Sequence, residues 1–335
     1  MTQPVPERDL PESVYFTLHP LTEGVYAALA RNRAAAGNAA LVDLGGETLI
    51  LDTFMTPHAA RDLFAAAQRL TRNPVRFVVN SHWHPDHVLG NSVFPADAAI
   101  VATTKTRALI AEQLPARIRA FRQQRQDLSR ELLALQEQAR KATDEAERDA
   151  LATQIRVYSA LIEAADQLAL RLPDWTFEQH VTLHGEKRQV EVITFGGGHT
   201  ASDAIVWLPQ ERIVLVADLW FNGMHPWAGD GDPTAWQRIM DEIAALGPQT
   251  VVPGHGPVGT LDAFLAFKPY LEVLEATVRD RVLRYPAPVE GQDPLADLTI
   301  PAPFADLDNP ERYARNVRAL YDRLVKPRHN GDRSA

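Results

Sequence analysis

The sequence predicts an α/β fold that carries an inserted helical hairpin and a C-terminal helical tail. Three observations lead there. Short apolar runs bounded by turn residues alternate with helical periodicity over residues 14–105 and again over 173–284. Between Pro115 and Pro173 there is neither proline nor glycine, and apolar residues recur at spacings of four and three. Histidines and aspartates recur where apolar runs end.

Taken in order, Gly24–Leu29, Ala39–Leu44 and Thr48–Asp52 read as strands; Asn38 separates the first two and Gly45-Gly46-Glu47 turns between the last two. Pro57 opens a helix with Ala60, Leu63, Phe64 and Leu70 on one face. Arg76–Asn80 is a buried strand that runs straight into Ser81-His82-Trp83-His84, and Ala98–Ala102 is a further short strand. Two apolar series follow, Leu114, Ile118, Phe121, Leu128, Leu132, Leu135 and then Leu151, Ile155, Tyr158, Ile162, Ala165. Their heptad spacing predicts helices packed on one another. Asp144, with Glu147 three residues on, marks a helix start. The segment therefore folds back as an antiparallel hairpin with arms of about 27 residues and about 40 Å, in preference to one unbroken rod.

Strands return at Gln189–Phe195, Ala204–Leu208, Ile213–Ala217 and Thr250–Val252, with helices over Pro233–Leu246 and Leu261–Leu283. Proline-rich linkers at Tyr285–Pro288 and Pro301–Pro303 lead to a last amphipathic helix. Asn309-Pro310 serves as its cap and first turn, and Tyr313, Val317, Leu320, Tyr321 and Leu324 form its stripe. The expected organisation is an α/β domain over 14–105 and 173–284, an inserted hairpin over 106–172, and a C-terminal extension over 285–335.

Composition narrows the function. The 335 residues are 45% hydrophobic and 23% charged, an ordinary globular balance. No apolar run approaches the roughly 20 residues of a membrane span, so no membrane partner is expected. Met1–Ser13 lacks the basic start and apolar stretch of a secretory signal, which predicts a cytoplasmic protein. The absence of cysteine excludes disulfides, thiolate ligands and a cysteine nucleophile. With 43 acidic against 34 basic residues and a net charge of −9, a nucleic-acid partner is not expected. A small-molecule substrate is.

The most informative stretch is His82-x-His84-x-Asp86-His87, three imidazoles and a carboxylate at the mouth of a buried strand. Alternate residues leaving a strand point the same way, so His82 and His84 converge on one ion. Asp86 and His87 lie where the chain turns and face a second ion nearby. Imidazole and carboxylate are ligands for zinc and also suit iron or manganese. Further ligands stand at other strand ends: His199 after Gly196-Gly197-Gly198, Asp218 after Ile213–Ala217, and His255 within Pro253-Gly254-His255-Gly256-Pro257.

In this order of motifs the chain resembles the metallo-β-lactamase fold superfamily. His82-x-His84-x-Asp86-His87, Gly198-His199-Thr200, Ala217-Asp218 and Pro253-Gly254-His255-Gly256 all match, over roughly residues 20–105 and 173–260. Asp52, which ends Leu49-Ile50-Leu51, matches the acid that the family places beneath the first loop; its other reading is an ordinary turn aspartate. The resemblance implies a four-layered αβ/βα sandwich with two divalent metal ions, zinc foremost. By it, His82, His84 and His199 hold one ion, Asp86, His87 and His255 hold the other, and Asp218 bridges them. It implies a hydrolase in which a bridging hydroxide attacks a carboxylic ester, lactone, lactam or thioester, with Asp86 orienting the hydroxide and carrying a proton. The alternative is a mononuclear iron dioxygenase of the same fold acting on a thiol or persulfide. Branches with a cysteine ligand are excluded at Asp218, and diiron reductases with an acid in place of the second histidine are disfavoured by His84.

Trp83, between two ligands, and Trp220, Phe221, Asn222, Met224, His225 and Trp227, in one loop after Asp218, are candidates for the substrate pocket. Core packing is the equal alternative for Trp220 and Phe221, and an ordinary loop position for His225. Arg117, Arg119, Arg122, Arg125 and Arg130 face one acid, Asp127; they either steer an anionic substrate or form a solvated helical face. The hairpin's apolar seam is expected beside the active-site edge, as a lid or as the contact of a homodimer.

Overall fold

A computed structural model describes residues 10–287 and 293–325. The reading of Met1–Ser13 falls largely outside the described residues, as do Pro288 of the first linker and the chain beyond Val325.

Two mixed sheets form the centre. The first runs in chain order: β1 (Phe16–Thr22), β2 (Val25–Ala30), β3 (Ala39–Asp43), β4 (Thr48–Leu51), β5 (Val75–Val79), β6 (Ala99–Thr103) and β7 (Trp175–Phe177). Its first four strands pair antiparallel and its last four parallel. The second sheet holds β8 (His180–His184), β9 (Gln189–Thr194), β10 (Ala204–Leu208), β11 (Ile213–Phe221), β12 (Thr250–His255) and β13 (Gly259–Thr260), in reverse order across the sheet. Only β11 and β12 pair parallel in it.

The period of two sorts the side chains into layers. Val25, Ala27, Val42, Leu49 and Leu51 meet Val192, Val206 and Leu215 between the sheets. Tyr26, Ala28, Leu41 and Ile50 face outward onto α1 (Pro57–Thr71), against Ala60 and Leu63. Ile205, Val214 and Val216 face the other way, onto α6 (Pro233–Ala245), α8 (Lys268–Arg284) and α9 (Glu311–Val325). The result is the four-layered αβ/βα sandwich. Its inner strands are covered on both faces, which is why they read as unbroken apolar runs. Two short helices, α2 (Pro85–Val88) and α7 (Leu261–Leu265), complete the frame.

Between β6 and β7 the chain leaves the sheet for α3 (Thr104–Gln123), α4 (Arg125–Lys141) and α5 (Glu145–Gln167). The hairpin's second arm is one helix, opened by the Asp144 carboxylate, which accepts the Glu147 N–H at 2.9 Å. Its first arm differs from expectation: it is two helices jointed at Gln124. Residues 122–127 are exposed throughout, so no packing holds the helix straight between buried Phe121 and Leu128. The seam of Ile110, Leu114, Ile118 and Leu161 packs on Trp83, Val88 and Leu89, beside the histidine-rich loop. Each such burial contributes about 1.5–3 kcal/mol. His58 with Glu163 at 3.0 Å and Arg61 with Gln167 at 2.8 Å clasp α5 to α1.

Two further expectations change. The helix over Leu261–Leu283 is broken into α7 and α8, because Pro269 has no N–H to extend the first ladder. Asn309 does not act as a side-chain cap: its φ is +60° and its amide lies 3.9 Å from the Met224 sulfur. Among the described residues no helix is long and apolar enough to cross a membrane.

Asp43 joins the two sheets at the end away from the histidines. Its carboxylate accepts from the Gly45 amide at 3.0 Å, Asn73 at 2.8 Å and, from the β8–β9 turn, Lys187 at 2.7 Å. Burial pushes this carboxyl up, but the bonds from Lys187, Gly45 and Asn73 outweigh burial and hold it below its ordinary value. A depressed folded pKa gives stability that is full above the unfolded value of about 3.9 and is lost as pH falls through the folded one. Asp43→Ala is expected to lower unfolding stability by about 1–3 kcal/mol at pH 7. Urea melts should show the gap to wild type narrowing below about pH 4.

Candidate metal centre

The histidines collect at one edge of the sandwich, where β5, β11 and β12 end. After β5 the chain presents His82 and His84 on one side, and Pro85 then starts α2, turning Asp86 and His87 across. In β11 the pairing register slips between Leu215 and Ala217, and Ala217 has φ +47°. Such a bulge re-aims the residue that follows, here Asp218. Gly254 lies against that carboxylate: a Cβ there would stand 1.9 Å from Asp218 Oδ1, so only glycine fits. A Cβ at Gly37 would likewise stand 2.6 Å from the His87 ring.

Two groups result, His82 with His84, His199 and Asp218, and Asp86 with His87 and His255; within each, the donor atoms lie within 4.8 Å of one another. Asp218 serves both. Its Oδ2 is 3.2 Å from His199 Nε2 and 3.7 Å from His82 Nε2, while its Oδ1 is 3.1 Å from His87 Nε2 and 3.3 Å from His255 Nε2. Asp86 Oδ2 lies 3.5 Å from His255 Nε2 and 3.7 Å from His87 Nε2.

The far side of three rings, those of His82, His84 and His87, is fixed, which sets their tautomers. Asp52 accepts from the Ser81 amide at 2.8 Å, from Ser81 Oγ at 2.7 Å and from His87 Nδ1 at 2.8 Å. Ser81 Oγ then accepts from His82 Nδ1 at 2.9 Å. One buried carboxylate thus turns an Nε2 lone pair inward in each group. Asp230 Oδ2 accepts from His84 Nε2 at 3.1 Å and from Trp227 Nε1 at 2.7 Å, leaving His84 Nδ1 to face His199 Nε2 at 2.9 Å. Asp203 accepts the amides of Gly198 at 2.7 Å, His199 at 2.9 Å and Thr200 at 3.0 Å, which fixes the His199 loop. Asn38 bonds the carbonyls of Pro253 at 3.0 Å and Gly256 at 2.9 Å, tying the His255 loop to the opposite sheet.

Cation chemistry fits this donor set. His82 Nε2, His87 Nε2 and Asp218 Oδ1 are buried and without a hydrogen-bond partner among the described residues, and all three aim at the centre of the cluster. Burial and the neighbouring His87 hold His82 well below its ordinary pKa, keeping its lone pair free. Burial also pulls His87 down, but Asp218, Asp86 and Asp52 outweigh it and hold His87 well above the ordinary value. Burial pushes Asp218 up, and His87, His255 and His199 bring it well below the carboxylate range. The potential inside the cluster therefore favours positive charge.

A cavity of about 260 Å³ opens over the cluster. His84, Asp86, Asp218 and His255 form its floor, Phe221 and Trp227 its apolar wall, and Arg117, Asp230 and Arg312 its rim. Of the pocket residues expected from sequence, Phe221 and Trp227 are among them. Trp83 points away, buried with the hairpin seam, because it alternates with two inward histidines. Trp220 packs in the outer core against Phe264 at 5.8 Å. Asn222 turns to the Pro257 carbonyl at 2.8 Å, and His225 is fully buried with its Nδ1 2.8 Å from the Tyr270 hydroxyl. Sequence reading missed Asp230 and Asp203. The latter had a signal, since an aspartate shortly after Gly198-His199-Thr200 is placed to cap that turn's amides.

The fold and the strand-end cluster together define a class. The sequence profile of the metallo-beta-lactamase superfamily matches residues 33–255, and the chain belongs to that superfamily. A metallo-beta-lactamase type 2 from Bacteroides fragilis is 31% identical over 103 residues, a stretch covering 29% of this chain and 41% of that protein. The chain thus spans less than half the length of that relative. The structure of a metallo-beta-lactamase from Pontibacter korlensis superposes with a TM-score of 0.55 at 19% identity, over 77% of this chain and 99% of that one. The DIM-1 metallo-beta-lactamase does so with a TM-score of 0.53 at 18% identity, over 77% and 97%. At these identities the structural likeness speaks for the fold.

Asp230 touches His84 from behind and no other residue of the two groups. Asp230→Ala is expected to weaken zinc binding about 10–100-fold, read by competition with a chromogenic chelator. Circular dichroism should show the fold intact.

Proposed function

We propose that this protein is a binuclear metal-dependent hydrolase that cleaves a carboxylic ester, lactone, lactam or thioester. The observation that carries the reading is the division of Asp218, one oxygen to each of two histidine groups. His82, His84 and His199 would hold one divalent cation, Asp86, His87 and His255 the other, and Asp218 both; zinc suits the donors best. Such a pair supplies a hydroxide at neutral pH and polarises the oxygen of the bond to be cleaved.

The chain's own residues do the rest. Asp86 is the one carboxylate of the second group that reaches the cavity from its open side, with its side chain 22% exposed. From there it orients the attacking water, holds the proton and delivers it to the leaving group. Phe221 and Trp227 pack against the substrate and exclude bulk water. Asp52, Ser81 and Asp230 keep the rings aimed. In the one-iron oxygenase reading, Asp86, His87 and His255 would have no task, and the second group argues against it.

A panel of lactones, thioesters, cephalosporins and phosphodiesters on the purified protein tests the reading. Two zinc ions per chain and chelator-sensitive hydrolysis are expected, with Asp86→Asn lowering kcat about 10²–10⁴-fold and weakening the hold on the second ion. His82→Ala and Asp218→Ala should lose metal and activity together. Turnover by metal-free protein, or one iron per chain with oxygen uptake, would overturn it.

A further inference from the structure

Two guanidinium groups stand on the rim of the cavity, and neither belongs to the sheets. Arg117 comes from α3, in the segment between β6 and β7, and Arg312 from α9, beyond the residues matched by the family. Other arginines of the inserted segment are engaged: Arg122 bonds the carbonyls of Ala165 and Leu168, Arg125 pairs with Asp166, and Arg130 with Asp127. Arg117 and Arg312 have no carboxylate within ion-pair distance among the described residues. Arg312 gives a single N–H to the His225 carbonyl at 3.3 Å.

Both are nevertheless held in place. Arg117 rides over the Trp83 ring at 5.6 Å, and Trp83 in turn packs on His84 at 4.6 Å. Arg312 lies over Phe221 at 6.0 Å, and Phe221 stacks on His255 at 4.7 Å. Each cation is thus seated on an aromatic face. Each of those faces leans on a histidine, one from each group. The carboxylate on the same rim, Asp230, accepts from His84 and Trp227 and forms no ion pair with either guanidinium among the described residues. A chain of net charge −9 repels anions at long range, so two unpaired arginines at the cavity mouth act locally.

We propose that Arg117 and Arg312 form an oxyanion clamp, so that the substrate is a small molecule with an apolar portion and, away from the cleaved bond, an oxyanionic group. This rests on the hydrolase reading above. The guanidinium fork matches carboxylate and phosphate alike. The cavity of about 260 Å³ has room for the portion of the substrate that carries these groups. The apolar portion lies on Phe221 and Trp227.

Calorimetry on the zinc-loaded full chain tests the clamp without turnover. The probes are 3-phenylpropanoate, phenylsuccinate, which adds one carboxylate, and 3-phenyl-3-phosphonopropanoate, which adds a phosphonate instead. The added group should tighten binding by about tenfold or more, the gain of one charge-assisted bond. Arg117→Gln and Arg312→Gln should each reduce that ratio, and the double variant should bring it near one. Arg312→Lys should retain part of it, separating charge from packing. A larger gain for the phosphonate assigns a phosphate-bearing substrate, an equal or smaller one a carboxylate. A ratio near one in wild type, or one that survives the double substitution, would overturn the clamp. If no substrate is hydrolysed while the ratio holds, the hydrolase reading falls and the clamp stands.

Discussion

Everything at this edge of the molecule is arranged around one buried carboxylate. Asp218 is 4% exposed, and an isolated carboxylate at that depth would be prohibitive. It persists because four imidazoles surround it, two on each oxygen. Those imidazoles crowd one another in turn, with His82 centroids 4.4 Å from His87 and 4.7 Å from His84. Positive charge at the centre of such a cluster would stabilise it. The bulge before Asp218, the glycine beneath it and the Asn38 bridge between sheets all serve that geometry.

The outer contacts repeat one device. A buried aspartate takes the far nitrogen of a ligand ring, or the amides of the loop that carries it, so that the near nitrogen is aimed. Asp52 does this for both groups at once, directly to His87 and through Ser81 to His82. It does so from a left-handed backbone, φ +58°, a conformation that costs of order 1–3 kcal/mol in a non-glycine residue. The surrounding core overrides that cost because Leu51 and Phe54, on either side, are buried in the two opposed layers.

Legibility in the sequence followed burial. Strands covered on both faces wrote unbroken apolar runs: β10 was found at its true ends, and β11 at its start, though it runs past the expected Ala217 to Phe221 because Asp218 interrupts the apolar run. Edge strands did not: β1 contains Pro20 at a register shift and β8 is mostly polar, so neither stood out. The candidate ligands were readable because histidines and aspartates stand out where apolar runs end. Their supports were not, since Asp203 and Asp230 lie in glycine-rich loops where aspartate is common. Trp83 shows a rule that was available and unused: if His82 and His84 face inward, the residue between them faces out. Arg117 looked like its solvated neighbours, and only packing on Trp83 distinguishes it.

The helices between β6 and β7 and the C-terminal helix both border the candidate site. The inserted helices spend their apolar seam on the loop that bears His82 and His84, and α9 joins the core of the other outer layer. Both reach the cavity through an arginine, Arg117 from α3 and Arg312 from α9. Anomalous diffraction at the zinc edge, from crystals of zinc-loaded protein, tests that centre most directly. Two peaks astride Asp218, one among His82, His84 and His199 and one among Asp86, His87 and His255, are the predicted result. A single peak away from Asp218, or none within reach of these side chains, would contradict it.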